Sequence, residues 1–173
     1  MALTIEDGSG VASADSYQDL AAARQLSINY GVSLPVDDDE AETALRQGYL
    51  NLNTHETKLQ GCRVYAVQTG IFPRKYVFAN GFLVPNDSIP DDIKLAQLYA
   101  ASAIAGGVDT NAVDDGQALK SFNAVETLYT ETYQDGSRVK VNSRIQGVVN
   151  SLAPYYKSAV SSGQNYREFE YLV

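Results

Sequence analysis

The sequence predicts a mainly α protein: a small helical bundle of three to four helices with an appended β-hairpin and extended N- and C-terminal arms. Three observations predict it. Segments 37–54 and 90–105 join helix-start chemistry to apolar residues at helical spacing. Residues 125–141 alternate with period two around a turn, and the two ends carry neither pattern. The chain has 173 residues, 45% of them hydrophobic. That is enough for one core, so 1–157 is expected as a single helical domain and 158–173 as an extended C-terminal tail.

Residues 1–12 are small and polar and read as an arm. A first helix is expected from about Ser16 to Tyr30. Asp15 can accept from its first-turn N–H groups, and Gly31 suits the left-handed residue that stops it. Its apolar residues Tyr17, Leu20, Ala21 and Ile28 keep a loose helical period. The second helix opens on Asp37 with Glu40 three residues on, a capping-box-like start with acids where the helix dipole favours them. Ala41, Ala44, Leu45, Gly48, Tyr49 and Leu52 then form one stripe, ending near His55. The run Asp37-Asp38-Asp39 lacks the alternate ligands and distant Glu of a calcium loop, and capping explains it.

Gly61, Gly70, Pro73, Gly81 and Pro85 break residues 56–89 into irregular chain, with short extended pieces around Val64–Val67 and Tyr76–Val84. Pro90 sits where its missing N–H costs nothing and opens a third helix, about Asp91 to Ala105. Its apolar residues surround the axis. Either it is the central helix of the bundle, or a neighbouring subunit covers part of it. Val125–Tyr133 and Arg138–Val141 flank the turn Gln134-Asp135-Gly136-Ser137 and read as the hairpin. A last helix, about Ser143 to Ala153, uses Ile145, Val148, Val149 and Leu152. The tail ends in an aromatic-rich run, Tyr166-Arg167-Glu168-Phe169-Glu170-Tyr171-Leu172-Val173, of the kind that docks on a partner.

The formal net charge is −8, with one cysteine, Cys62, and one histidine, His55. A disulfide framework, a CxxC zinc site and a multi-histidine metal site within one chain are thereby excluded. Met1–Gly10 has no signal-peptide character, and no run approaches the roughly 18 apolar residues of a membrane span. A soluble acidic protein of the cytoplasm, or of something assembled there, is expected. Residues 1–60 hold ten acids against three bases, whereas 61–95 come to +1. Such a field opposes tight, sequence-independent duplex binding, which needs a cationic footprint.

No enzyme site emerges. His55 reads as a surface residue near a helix end, where a cation is favoured. A Cys62–His55 thiolate pair would have no oxyanion hole beside it, and free cysteines are usually just buried. Gly8-Ser9-Gly10 lacks the lysine of a phosphate loop. No catalytic, metal or cofactor-binding residue is assigned. Segment 63–82 interleaves Arg63, Tyr65, Phe72, Arg74, Lys75, Tyr76, Phe78 and Phe82, a mixture that can stack bases and hold a single strand. The preferred reading puts Phe72, Phe78 and Phe82 in the core. In the alternative, Arg74, Lys75 and Tyr76 contact single-stranded nucleic acid.

Several pieces in order carry a family resemblance over roughly 1–157. They are Met1-Ala2-Leu3-Thr4-Ile5-Glu6-Asp7-Gly8 with Ala14-Asp15-Ser16-Tyr17, then Ala44-Leu45-Arg46-Gln47-Gly48 and Ile71-Phe72-Pro73-Arg74. Ile89-Pro90-Asp91-Asp92-Ile93-Lys94-Leu95-Ala96 and Leu152-Ala153-Pro154-Tyr155 complete the set. The chain resembles the head–tail adaptor (connector) proteins of tailed bacteriophages, and similar chains also carry the label DnaT-like single-stranded-DNA-binding protein.

The resemblance implies a structural virion protein at the head–tail interface, assembled in the host cytoplasm. Such proteins form a ring, commonly a dodecamer, beneath the portal. The ring extends the channel through which the genome is ejected and docks the tail or neck. The implied partners are copies of itself, the portal protein, tail or neck proteins, and duplex DNA passing without specific binding. No membrane and no cofactor are implied. Phe72, Pro73, Arg74, Pro90 and Lys94 would be structural family positions, and Tyr166, Phe169, Tyr171 and Leu172 would touch the portal or an adjacent subunit. A ring uses two different faces of each subunit, and an acidic lumen would keep DNA from sticking.

Overall fold

The computed structural model describes residues 2–108, 119–125, 128–133 and 143–157, with strands 119–125 and 128–133 described by their backbone. The order is α1 (Leu20–Tyr30), α2 (Asp38–Asn53), β1 (Cys62–Arg63), β2 (Arg74–Lys75), β3 (Phe78–Ala79), β4 (Phe82–Leu83), α3 (Asp91–Ala105), β5 (Leu119–Val125), β6 (Leu128–Tyr133) and α4 (Ser143–Leu152), with 3-10 turns at Glu56–Lys58 and Ala153–Tyr155. The strands form three antiparallel pairs, β1–β2, β3–β4 and β5–β6. The fold is mainly helical, as the sequence predicts.

Helix α3 is the central helix, packed between α2 and α4. Its Ile93, Ala96, Leu98, Ala100, Ala101 and Ala103 are buried within one chain, so its all-round apolar surface needs no neighbouring subunit to cover it. Small residues bring the backbones close. A Cβ on Gly48 would stand 2.7 Å from the Gln97 carbonyl oxygen and 2.9 Å from the Ala101 nitrogen. Gln97, wholly buried, is polar, as is Ser102. Its Oε1 accepts from the Tyr17 N–H (3.0 Å), and its Nε2 donates to Ser16 Oγ and to the Leu45 carbonyl (both 2.9 Å). One carboxamide thus ties α3 to α2 and to the chain entering α1.

That tie moves the start of α1. The sequence favours Asp15 as its cap, but Asp19 is the N-cap, with Ala22 N–H donating to its carboxylate at 2.7 Å. Residues 16–18 leave helical geometry because Ser16 bridges to Ile5 and Tyr17 enters the core. Asp15 instead accepts from Thr4 N–H and pairs with Arg46 at 2.8 Å. The N-terminal segment is pinned by Glu6, 1% exposed, whose Oε1 accepts from the Gly8 and Gly10 N–H groups, both 2.9 Å.

Helix α2 begins and buries its stripe as expected, with Asp37 accepting from Glu40 N–H at 3.0 Å. The hairpin, however, lies at 119–133 rather than 125–141. Val125 pairs with Leu128, so the connection falls at 126–127, inside the stretch expected to be one strand. The Gly-containing sequence at 134–137 attracts the turn assignment, while cross-strand pairing places it earlier. Residues 134–142, including the expected return strand, lie outside the described residues.

Candidate functional site

The irregular segment 56–89 folds onto the end of the bundle around Phe72, which is buried edge-on against Tyr155 at 5.4 Å. Tyr17 and Tyr49, with ring centroids 4.7 Å apart, hold the inner side of this loop. The Phe72 N–H donates to Tyr17 Oη (3.1 Å), and Tyr49 Oη bonds Thr69 Oγ1 (3.1 Å). Arg74, 3% exposed, reaches inward. Its guanidinium donates to the carbonyls of Gln60 (2.8 Å), Gly61 (2.9 Å) and Ile71 (3.2 Å), with Glu56 at 3.7 Å. Burial pulls its basicity down, and the Glu56 carboxylate opposes that. Arg74 therefore has no surface to offer a nucleic acid, contrary to the alternative that used it as a contact.

Arg63 is engaged too. It grips Glu56 with two bonds (2.6 and 2.7 Å) and donates to the Gln68 carbonyl. These bonds hold the Glu56 carboxyl below the usual range. Lys75 is half-buried, with Nζ 5.8 Å from the ring centroid of the exposed Tyr76, within cation–π reach. Pro73 is buried and accepts through its carbonyl from Gln68 Nε2 at 3.0 Å. Pro90 accepts from Ile93 N–H at the start of α3, while the Lys94 carbonyl accepts from Gln18 Nε2 and its ammonium pairs with Asp91.

Beyond Lys75 the chain makes the β3–β4 hairpin. Asn80 and Gly81 both have left-handed φ, 52° and 84°, and form the two-residue turn that such a hairpin requires. Val77 is buried, and Ala79 and Val84 pack on the core. Phe78 lies opposite Leu83 and Ala79 opposite Phe82. Both faces are open to solvent: Tyr76 is 71% exposed, Phe78 55% and Leu83 60% on one face, and Phe82 78% beside Ala79 on the other. Of the three phenylalanines expected in the core, only Phe72 is there. Two residues of hairpin per strand are too short to fold the other two rings back onto the bundle.

Gln60 staples this hairpin to the end of the last helix. Its Oε1 accepts from Phe78 N–H (3.2 Å), and its Nε2 lies at donor distance from the carbonyls of Phe78, Pro154 and Tyr156 (3.2, 3.3 and 3.0 Å). Tyr156 Oη in turn bonds His55 Nδ1 at 3.0 Å. His55 is thus half-buried against an aromatic ring rather than a plain surface residue, and burial, with Lys58 adding to it, holds its imidazole below the ordinary range. Cys62 is exposed rather than buried.

Residues 56–79 and 153–157 carry five basic side chains, Lys58, Arg63, Arg74, Lys75 and Lys157, against Glu56 alone, in a chain of net charge −8. Asp92 reaches the edge of this region by accepting from Tyr155 Oη at 3.0 Å. Exposed aromatics on a locally cationic lobe can stack flat rings and hold an anionic backbone. Sequence reasoning missed Gln60, Lys58, Lys157 and the turn, although Asn80-Gly81 between apolar runs is a strong hairpin signal. Among the described residues, no group of three or more His, Cys, Asp or Glu could hold a metal ion, and no helix is long and apolar enough to cross a membrane. Tyr166, Phe169, Tyr171 and Leu172 lie outside the described residues.

One family model, described as a putative DnaT-like ssDNA binding protein, matches residues 1–168. No curated protein and no solved structure matches the chain.

Proposed function

The chain belongs to the putative DnaT-like ssDNA binding protein family, and from that premise we propose that it holds single-stranded nucleic acid on the β3–β4 hairpin. Membership supports a non-catalytic role, structural or nucleic-acid-binding. The observation that carries the finer reading is the exposure of Tyr76, Phe78 and Phe82 on one short hairpin. Lys58, Lys75 and Lys157 stand at its base on chain segments joined to it through Gln60. Bases stack on the rings, each stack contributing about 1–3 kcal/mol, and the lysines follow the phosphates. Such a site tolerates many sequences, because every base has a flat face.

The test is an anisotropy titration with a fluorescent oligonucleotide of about 20 nucleotides. Micromolar binding at low salt is expected, with a salt slope near −2 for about three phosphates neutralised at roughly −0.7 each. Phe78→Ser with Phe82→Ser should weaken it more than about tenfold. Absence of binding at about 100 μM protein in low salt would overturn the proposal.

A second reading, the virion adaptor ring, rests on the resemblance and on one further observation. Ile28 (75%), Tyr30 (56%) and Val36 (94%) expose a separate apolar surface at the end of α1 and in the loop after it. Two different apolar surfaces suit the unlike faces that a cyclic assembly joins. In this reading the ring lies beneath the portal, connects head to tail and extends the DNA channel. Rings or portal complexes that form without nucleic acid, from a protein that ignores oligonucleotides, would favour it.

A further inference from the structure

We propose that residues 166–173 of this chain fold back onto the β3–β4 hairpin and occupy the surface that a single strand would take. The inference rests on the nucleic-acid reading only for its competition arm.

The first support is where the described chain ends. Lys157 N–H donates to the Lys58 carbonyl at 2.8 Å, and Leu59 bridges Tyr156 in antiparallel fashion. Gln60 holds the Tyr156 and Phe78 carbonyls with the same side-chain nitrogen. The chain therefore departs one side chain away from β3. Residues 158–173 lie outside the described residues. Ser158–Asn165 are mostly small or polar, with Ala159 and Val160 among them, and eight residues extend to about 26 Å at roughly 3.3 Å each. That is ample to return to Phe78 and Leu83.

The second support is chemical complementarity. Phe169, Tyr171 and Val173 alternate with Glu168, Glu170 and Leu172, the period of a strand. Phe78 and Leu83 share one apolar face of the hairpin, with Phe82 exposed on the other, and Lys58, Lys75 and Lys157 offer partners for the two glutamates. Among the described residues β4 pairs with β3 alone, so its other edge can accept an added strand. The segment has the two features a bound oligonucleotide would have, flat rings and negative charge. A short tether supplies an effective concentration in the millimolar range, which favours the chain's own tail over a second copy at micromolar protein.

The full chain supplies its own probe position. Cys62 is the only cysteine, is exposed, and pairs with Lys75, three residues before Phe78. With a nitroxide on Cys62, amide resonances of 166–173 should be broadened relative to the reduced label. Phe82→Ser with Leu83→Ser should restore them while core resonances stay in place. A 20-nucleotide strand should release the tail, and Phe169→Ser with Tyr171→Ser should tighten oligonucleotide binding about tenfold.

A tail that keeps full intensity, or broadening that survives in the hairpin variant, overturns the inference. So does broadening seen only between a labelled copy and a separate isotope-enriched one, which would make the occupant a neighbour's tail. If broadening behaves as expected but no variant binds oligonucleotide, the docking stands and the nucleic-acid reading falls.

Discussion

Arg74→Met separates the two roles open to this residue, scaffold and contact. In the folded chain the guanidinium serves three backbone carbonyls, those of Gln60, Gly61 and Ile71. Methionine fills much of the same volume, so little cavity is created. The loss is then three hydrogen bonds to buried or half-buried carbonyls, about 1 kcal/mol net for each, or about 3 kcal/mol together. With a urea m-value near 2 kcal/mol per molar, the unfolding midpoint should fall by about 1.5 M. Arg74→Lys keeps the charge but not the planar fork that spans the three carbonyls, so it should recover less than half of the loss. Oligonucleotide affinity, measured where the variant is folded, should change less than about twofold, because 3% exposure leaves nothing to contact. An unchanged midpoint together with a tenfold loss of affinity would refute this account of Arg74.

Gln97→Leu should cost about 2–4 kcal/mol by chemical denaturation, since it strands the Tyr17 N–H in the core and removes one donor each from Ser16 Oγ and the Leu45 carbonyl; a loss below about 0.5 kcal/mol would show that the three contacts are dispensable. His55 adds a pH dependence. Its folded pKa is depressed by burial, so the unfolded state binds the proton more readily and stability rises with pH. The contribution is complete above the unfolded value of about 6.5 and is lost as pH falls through the folded one. Urea midpoints between about pH 7.5 and 5.5 should therefore decline, and His55→Gln should flatten the decline. Glu56, held low by Arg63, should add a second loss only below about pH 4.5.

Helices α2 and α3 are legible from local chemistry: α2 carries an aspartate cap, first-turn acids and a stripe of Ala and Leu in one segment, and α3 carries Pro90 ahead of first-turn acids and a run of apolar residues. The start of α1 is not. Asp15 precedes a helical period and reads as the cap, yet Asp19 caps the helix, and the shift is made by Gln97, some eighty positions away, which draws Ser16 and Tyr17 out of helical geometry. Arg74 presents the same difficulty for the site. Beside Lys75 and Tyr76 it looks like a surface cation, and only the fold of 56–75 around its guanidinium reveals that it faces inward. Phe78 and Phe82 mislead in the opposite direction. Their hydrophobicity argues for the core, yet the Asn80-Gly81 turn between them commits the segment to a hairpin that leaves both rings exposed among the described residues.

The Gln60 staple gives the molecule a mechanical property. A single carboxamide is bonded both to the hairpin backbone and to the last turn before the exit of the chain. A pull on the residues that follow Lys157 is thus delivered to β3 through Gln60 as well as to the turn at Glu56–Lys58 through the Lys157–Lys58 hydrogen bond, and a load pressing on β3 is passed out along the same line. Whatever grips the far end of the polypeptide holds a lever on the aromatic face.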